Sequence, residues 1–267
     1  MLYAMSDLWR WVPPLLYGLA AAMCGWRLLA QASSRRTSFR IGPVAVGAHF
    51  FQLSLLSLSL GRLPFGTMWE ALSLSTLVLS GSYLLLERMA RSTALGAPFY
   101  LLATLGSALA AANHEPPRWP VLLQSTLFAV HVALGVVGIG LLAASGLLAA
   151  GWLLLYQLLR GRRFGEFTRT MPDLATLDRL FFALSSLGTI LLACAAVLGL
   201  VWMHVFHLPV TPLVAWKMGT VLLVLVWYAA IPLLRQRRTW SSGWIAWVGF
   251  LGLVPLGLMI WTGTRAV

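Results

Sequence analysis

The chain is expected to be all-α: a polytopic integral membrane helical bundle of about eight transmembrane helices, with both termini outside. Three observations predict this. Residues are 60% hydrophobic and 10% charged, against roughly 25% charged in a soluble domain. Apolar runs of the roughly 20 residues that a helix needs to cross a hydrocarbon core of about 30 Å follow one another along the whole sequence. The cations collect in every second connection, as they do in cytoplasmic loops.

The first run, 10–31, follows MLYAMSDLWRW, which has neither a basic start nor a small-residue cleavage site. It is read as a retained span rather than a signal peptide. Further runs occupy 41–60, 66–87, 93–112, 123–158, 178–205, 210–234 and 242–262. The connections after the first, third, fifth and seventh runs read SSRRTSFR, ERMARS, RGRRFGEFTR and RQRR. The alternate ones, around Arg62, NHEPPRWP and HVFHLPVTP, hold few cations. Positive-inside logic therefore puts four basic loops in the cytoplasm.

The fifth run is too long for one perpendicular span. It either begins as an interfacial segment at Trp119–Pro120 or extends into the cytoplasm toward Arg160. Residues 166–180, EFTRTMPDLATLDRL, read as a short amphipathic stretch leading into the sixth. Trp9, Trp11, Trp119, Trp240 and Trp261 fall near run ends, where tryptophan anchors a helix at the headgroups. No segment reads as a soluble domain, so residues 1–267 form one transmembrane unit.

The net charge of +12 and a pI near 11 would suggest nucleic acid in a soluble protein. Here membrane topology accounts for the charge, and nucleic acid is not an expected partner. Cys24 and Cys194 lie within apolar runs and read as small packing residues. The sequence has no CxxC pair and no CxxCH haem-attachment motif. GxSxG, HExxH, Walker A and dinucleotide fingerprints are also absent.

Two of the five histidines, His49 and His131, sit inside apolar runs, where an imidazole is costly unless hydrogen-bonded or metal-bound. Counted from the run ends, both fall near the midplane, on helices running in opposite directions. Paired axial ligation of haem iron needs two neutral imidazoles at one level. Gly42, Gly47, Gly135 and Gly138 flank these sites and would admit a planar ligand close to the backbone. The alternative is that each histidine makes a hydrogen-bonded contact between helices.

His114, His204 and His207 fall in the loops expected outside. They are a possible second ligand pair near Trp119 and Trp202, or solvated loop histidines. Glu70, about one turn into the third run, and Lys217, the only lysine, are the notable charges within spans. They could pair with each other, or Lys217 could meet haem propionates while Glu70 orients an outer histidine.

These pieces together resemble the cytochrome c assembly family of membrane proteins, which includes the haem-handling cytochrome c synthases and smaller HemX-like and YpjD-like eight-span proteins. The resemblance rests on AHFFQLSL, PFGTMWEALSLSTLVL, LFAVHVALGVVGIGLLAASGLLAAGWLLLYQLL, MPDLATLDRLFFALSSLGTILLACAAVLGLVWMH and AWKMGTVLLVLVWYAAIPLLR. It covers nearly the whole chain. The synthases carry a long outer tryptophan-rich segment with an Asp. Here the stretch between Trp202 and Lys217 is short and has no acidic residue, so the small branch is the nearer likeness.

The resemblance implies His49 and His131 as an internal pair of haem ligands, with His114 and His204 as outer candidates. The expected cofactor is non-covalent haem b. The expected setting is a bacterial inner (plasma) membrane, crossed several times, and the role is cytochrome c assembly or haem homeostasis. Haem binding or transfer is expected rather than catalytic turnover. Other cytochrome assembly or membrane-complex proteins are possible partners. An accessory scaffold subunit without haem chemistry and a small-molecule transporter are the alternative readings.

Overall fold

The fold is given by a computed structural model that describes residues 9–30, 38–90, 92–113, 125–162, 165–236 and 241–264. Among these residues every regular element is a helix. They are α1 (Val12–Ala30), α2 (Ser38–Leu60), α3 (Met68–Ala90), α4 (Gly96–Ala112) and α5 (Thr126–Arg160). The short α6 (Glu166–Thr170), then α7 (Leu174–Val205), α8 (Pro212–Gln236), α9 (Ser242–Leu251) and α10 (Leu253–Thr264) complete the series.

Local chemistry sets several helix starts. Thr67 caps α3 by accepting from the Glu70 amide, and Glu70 stands in the first turn, where a carboxylate suits the positive end of the helix dipole. Ser125 accepts from the Phe128 amide at the start of α5, and Asp173 from the Thr176 amide at the start of α7. The stretch expected to be one amphipathic segment from 166 to 180 is therefore broken. One turn of helix, α6, ends before Pro172, and Asp173 restarts the chain as α7.

Among the described residues six segments are long and apolar enough to cross a membrane: Ile41–Leu60, Met68–Ala90, Thr126–Arg160, Leu174–Val205, Pro212–Arg235 and Ser242–Gly263. The last is α9 and α10 end to end. The fourth expected run forms the shorter apolar helix α4, of 17 residues, and the first forms α1. The fifth run is one continuous helix of 35 residues, about 52 Å long. It is therefore much longer than a hydrocarbon core of about 30 Å, and Trp119–Pro120, the alternative interfacial start, lies outside the described residues.

The surface is apolar, as a bilayer requires. Leu58, Trp26, Met89 and Val254 are among the large hydrophobic side chains that point outward. One end of the bundle carries Arg88, Arg160, Arg162, Arg169 and Arg235, and is called the basic end below. The other end carries the 61–67 and 206–211 loops.

Helix α5 is the hub, packing on α3, α7, α9 and α10. Its contact with α7 is the most extensive in the bundle. Glycines on both helices allow it: a Cβ on Gly138 would meet the Gly188 carbonyl and the Leu192 amide, both at 3.0 Å. On the far side of α3, helix α1 packs against α2 and α4 around Tyr17, Tyr83, Phe99 and Tyr100, all essentially buried.

Candidate functional site

His49 lies at the middle of α2 and is completely buried. Its ring sits between Tyr17 of α1 and Ser73 of α3. Nδ1 is 3.1 Å from the Tyr17 hydroxyl and Nε2 is 2.9 Å from the Ser73 hydroxyl. The Tyr17 hydroxyl also lies 2.7 Å from that of Ser80.

Counting hydrogens favours one direction for this chain of bonds. Ser80 has a single hydrogen, with the Thr76 and Leu77 carbonyls and the Tyr17 oxygen all in reach. If Ser80 gives it to the backbone, Tyr17 donates to Ser80 and His49 to Tyr17, and every hydrogen, that of Ser73 included, meets an acceptor among the described residues. In that arrangement Nδ1 of His49 carries the proton, and Nε2 presents a lone pair to the Ser73 hydroxyl. Ser75, Thr76, Ser80 and Ser82 each give their hydrogen to a backbone carbonyl. Ser73, whose only bond among the described residues is to His49, has no other acceptor there for its hydrogen than Nε2.

Ser73 and His49 line a small cleft, open at its mouth, together with Arg10, Gln52, Trp69 and Glu70. At the mouth Glu70 is buried and takes a bidentate pair from Arg62 at 2.8 and 3.0 Å. The Gly66 amide adds a third bond at 2.7 Å. Glu70 thus clasps the α2–α3 turn, and the alternative of a Glu70–Lys217 pair is not what forms. A short turn brings Arg62 within reach, whereas Lys217 stands on α8. Lys217 is half-buried, and no described residue pairs with it.

His131 sits five residues into α5, half-buried against α7. Its Nδ1 lies 2.6 Å from the Ala195 carbonyl. A carbonyl only accepts, so Nδ1 again holds the proton and Nε2 again offers a lone pair. The ring occupies the space above Gly199, where a Cβ would lie 2.7 Å from its Cε1. Phe128 connects it to Trp202, with centroids 6.2 Å and 5.1 Å apart. The Trp202 indole donates to the Ser125 hydroxyl at 3.1 Å.

The two imidazoles share a tautomer but not a site. Helix α2 packs on α1 and α3, His131 faces α7, and α2 and α5 share no substantial interface. Nor does the register match them in depth. A Cβ on Gly140 would meet the Ser75 carbonyl and Val78, so on these parallel helices Ser73 is level with about residue 137 and His131 lies roughly 8 Å nearer the 206–211 end. Counting from run ends missed this, because α5 starts farther out than α3.

The flanking glycines also differ from expectation. A methyl on Gly42 would overlap the Tyr100 hydroxyl, and Gly135 and Gly138 face α7. Three of the four serve helix contact; Gly47 alone has open space beside it. His204 and His207 are exposed, with ring centroids 6.4 Å apart. His114 and Trp119 lie outside the described residues. No group of three or more His, Cys, Asp or Glu able to hold a metal ion occurs among the described residues.

Tyr17, Ser73, Ser80 and Arg62 are the site residues that sequence reading missed. A signal for two of them was present. Ser73, Thr76 and Ser80 repeat at three and four residues, which sets a stripe of hydroxyls along one face of an apolar helix.

The donor chemistry of the imidazoles suits haem iron. His131 has Nδ1–H tied to a carbonyl, the condition of a metal-ligating histidine, and the bonding that satisfies every hydrogen around His49 gives it the same form. Residues 51–262 match the cytochrome C assembly protein family. Protein HemX of Brevibacillus brevis is 28% identical over 147 residues, covering 53% of this chain and 53% of that protein. Protein HemX of Bacillus subtilis (strain 168) is 22% identical over 211 residues, covering 77% of this chain and 71% of that one. The first match thus spans about half of its relative. The chain belongs to the cytochrome C assembly protein family and is a multi-pass membrane protein; membership points to a haem-related function in the membrane. His49 and Tyr17 precede the matched segment, and His131, Trp202 and Lys217 fall within it.

Proposed function

We propose that this member of the cytochrome c assembly family binds non-covalent haem b in a bacterial inner membrane and handles it for cytochrome c assembly or haem homeostasis. The observation that carries the reading is the shared tautomer. His131 holds its proton on Nδ1 against a carbonyl, and the bonding that satisfies every hydrogen around His49 does the same there; iron would take Nε2, at His49 in place of the Ser73 hydroxyl. Bound haem supplies an iron whose axial positions accept imidazole nitrogen.

His49, beside its cleft, is one proposed ligand. His131, next to Phe128 and Trp202, is a second and separate one, nearer the 206–211 end. Two stations at different depths suit movement of haem across the bilayer better than one closed bis-histidine site. Lys217 is the proposed propionate partner, since an unpaired ammonium in a span favours an anion. Glu70, clasped by Arg62, shapes the mouth of the first station. His114 and His204 remain proposed outer ligands. The eight-span topology, with both termini outside and the basic end in the cytoplasm, follows from the positive-inside pattern. Lipid and other proteins of cytochrome assembly or of a membrane complex are the proposed partners.

The test is an absorption spectrum of the purified full chain after haem supplementation. A Soret band is expected, reduced in His49→Ala and in His131→Ala and lost in the double variant. No Soret band in the parent, or an unchanged one in the double variant, would sink the reading.

A further inference from the structure

We infer that Tyr17 and Ser80 are positioning residues that set the tautomer of His49, so that Nε2 rather than Nδ1 faces the cleft as a lone pair. The inference rests on the haem reading only for its purpose; the tautomer can be measured without haem.

Three features of the bonding carry it. The chain from Thr76 through Ser80 and Tyr17 to His49 runs through side chains that are all fully buried or nearly so, so water does not compete for their hydrogens. Only when Ser80 donates to the backbone of α3 does every hydrogen of the chain, that of Ser73 included, find an acceptor among the described residues. The Tyr17 ring is held independently of its hydroxyl: it meets the His49 ring edge-on at 5.6 Å and stacks on Tyr100 at 6.2 Å.

The two residues act differently when removed. Tyr17→Phe keeps the ring contacts but takes away the acceptor for Nδ1–H. With the proton left on Nδ1, a buried N–H would lack an acceptor, whereas on Nε2 it meets the Ser73 oxygen and the Ser73 hydroxyl is left free to turn. Ser80→Ala leaves the Tyr17 hydroxyl with no acceptor except Nδ1. Tyr17 then donates to His49, and the proton again moves to Nε2. A merely structural role for Ser80 would predict no such reversal while Tyr17 remains in place.

The experiment is nitrogen-15 NMR of histidine-labelled full chain in lipid nanodiscs without haem, with the His49 signals assigned by His49→Gln. The parent is expected to show His49 in the Nδ1–H form. Tyr17→Phe and Ser80→Ala are each expected to shift the tautomer ratio toward Nε2–H by about tenfold, the effect of one lost buried hydrogen bond. An Nε2–H parent, or a ratio that moves by less than about twofold in both variants, would overturn the inference. The second readout is haem titration of the same proteins, where loss of such a supporting bond lowers affinity by about tenfold or more. Equal haem affinity in the parent and both variants would exclude the positioning role. Absence of any haem binding, with the NMR shifts present, would leave the tautomer assignment standing and remove the haem reading.

Discussion

The imidazole of His131 fills the space that a side chain at position 199 would need. A Cβ on Gly199 would lie 2.7 Å from Cε1 and 2.9 Å from Nδ1 of that ring. Gly199 is therefore one wall of the histidine's seat, and the Ala195 carbonyl one turn away is its anchor. Gly199→Ala is expected to push the ring off that carbonyl. Overpacking of this kind costs about 1–3 kcal/mol. Thermal unfolding should fall, and the part of the haem absorbance that depends on His131 should be lost. Wild-type stability and absorbance in this variant would refute the arrangement.

The α5–α7 contact gives a second test, with an internal control. A Cβ on Gly138 would lie 3.0 Å from the backbone of α7, whereas one on Gly47 would have nothing within 4 Å. Gly138→Ala should destabilise by about 1–3 kcal/mol, because backbone cannot yield as a flexible side chain does. Gly47→Ala should be neutral or stabilising by up to about 1 kcal/mol, since it only removes helix-breaking freedom. Denaturation of both variants in the same detergent decides it, and equal effects would count against the packing described.

The Arg62–Glu70 clasp makes a third. Glu70 is buried and Arg62 nearly so, with side-chain exposures of 4% and 14%. Removing the guanidinium leaves a carboxylate away from water, so Arg62→Met is expected to cost about 3 kcal/mol. The Arg62→Met, Glu70→Met double variant should recover most of this. A double variant as unstable as the single would show that the turn depends on something other than charge pairing.

Acid stability gives a fourth, at the start of α7 and outside the spans. Hydrogen bonds from Thr176 hold the Asp173 carboxyl below its ordinary value. A depressed folded value means that the capping contribution is present above the unfolded value of about 3.9 and is lost as pH falls through the folded one. Asp173→Asn keeps a capping oxygen without the titration. Unfolding measured between about pH 6 and pH 2 should show a shallower acid-side loss in Asp173→Asn than in the parent. Parallel curves would contradict the assignment.

Much of this was legible in the residues. The apolar runs marked where the long helices lie, since the length needed to cross hydrocarbon is fixed by the rise of a helix. His49, His131, Glu70 and Lys217 stood out because a polar group in such a run needs a reason. The run ends were less reliable. The loop-side start of α5 is Thr126, where Ser125 caps it, and it stands farther out than the start of α3, so depths counted from run ends did not match the two histidines.

The sequence by itself determined the helical class, the alternation of basic connections and the residues whose burial would be costly. Only the tertiary structure decided which side chains they meet: His49 with Tyr17 and Ser73, His131 with Ala195 and Gly199, Glu70 with Arg62. The reason is physical. In a soluble helix the apolar stripe marks the inward face, but a helix in lipid is apolar all round, so periodicity cannot show which face finds a neighbour. Helix choice is then made by close packing of small residues and by a few hydrogen bonds. Such contacts exist only between segments far apart in the chain, as the Gly138–Gly188 approach and the Tyr17–His49 bond both are.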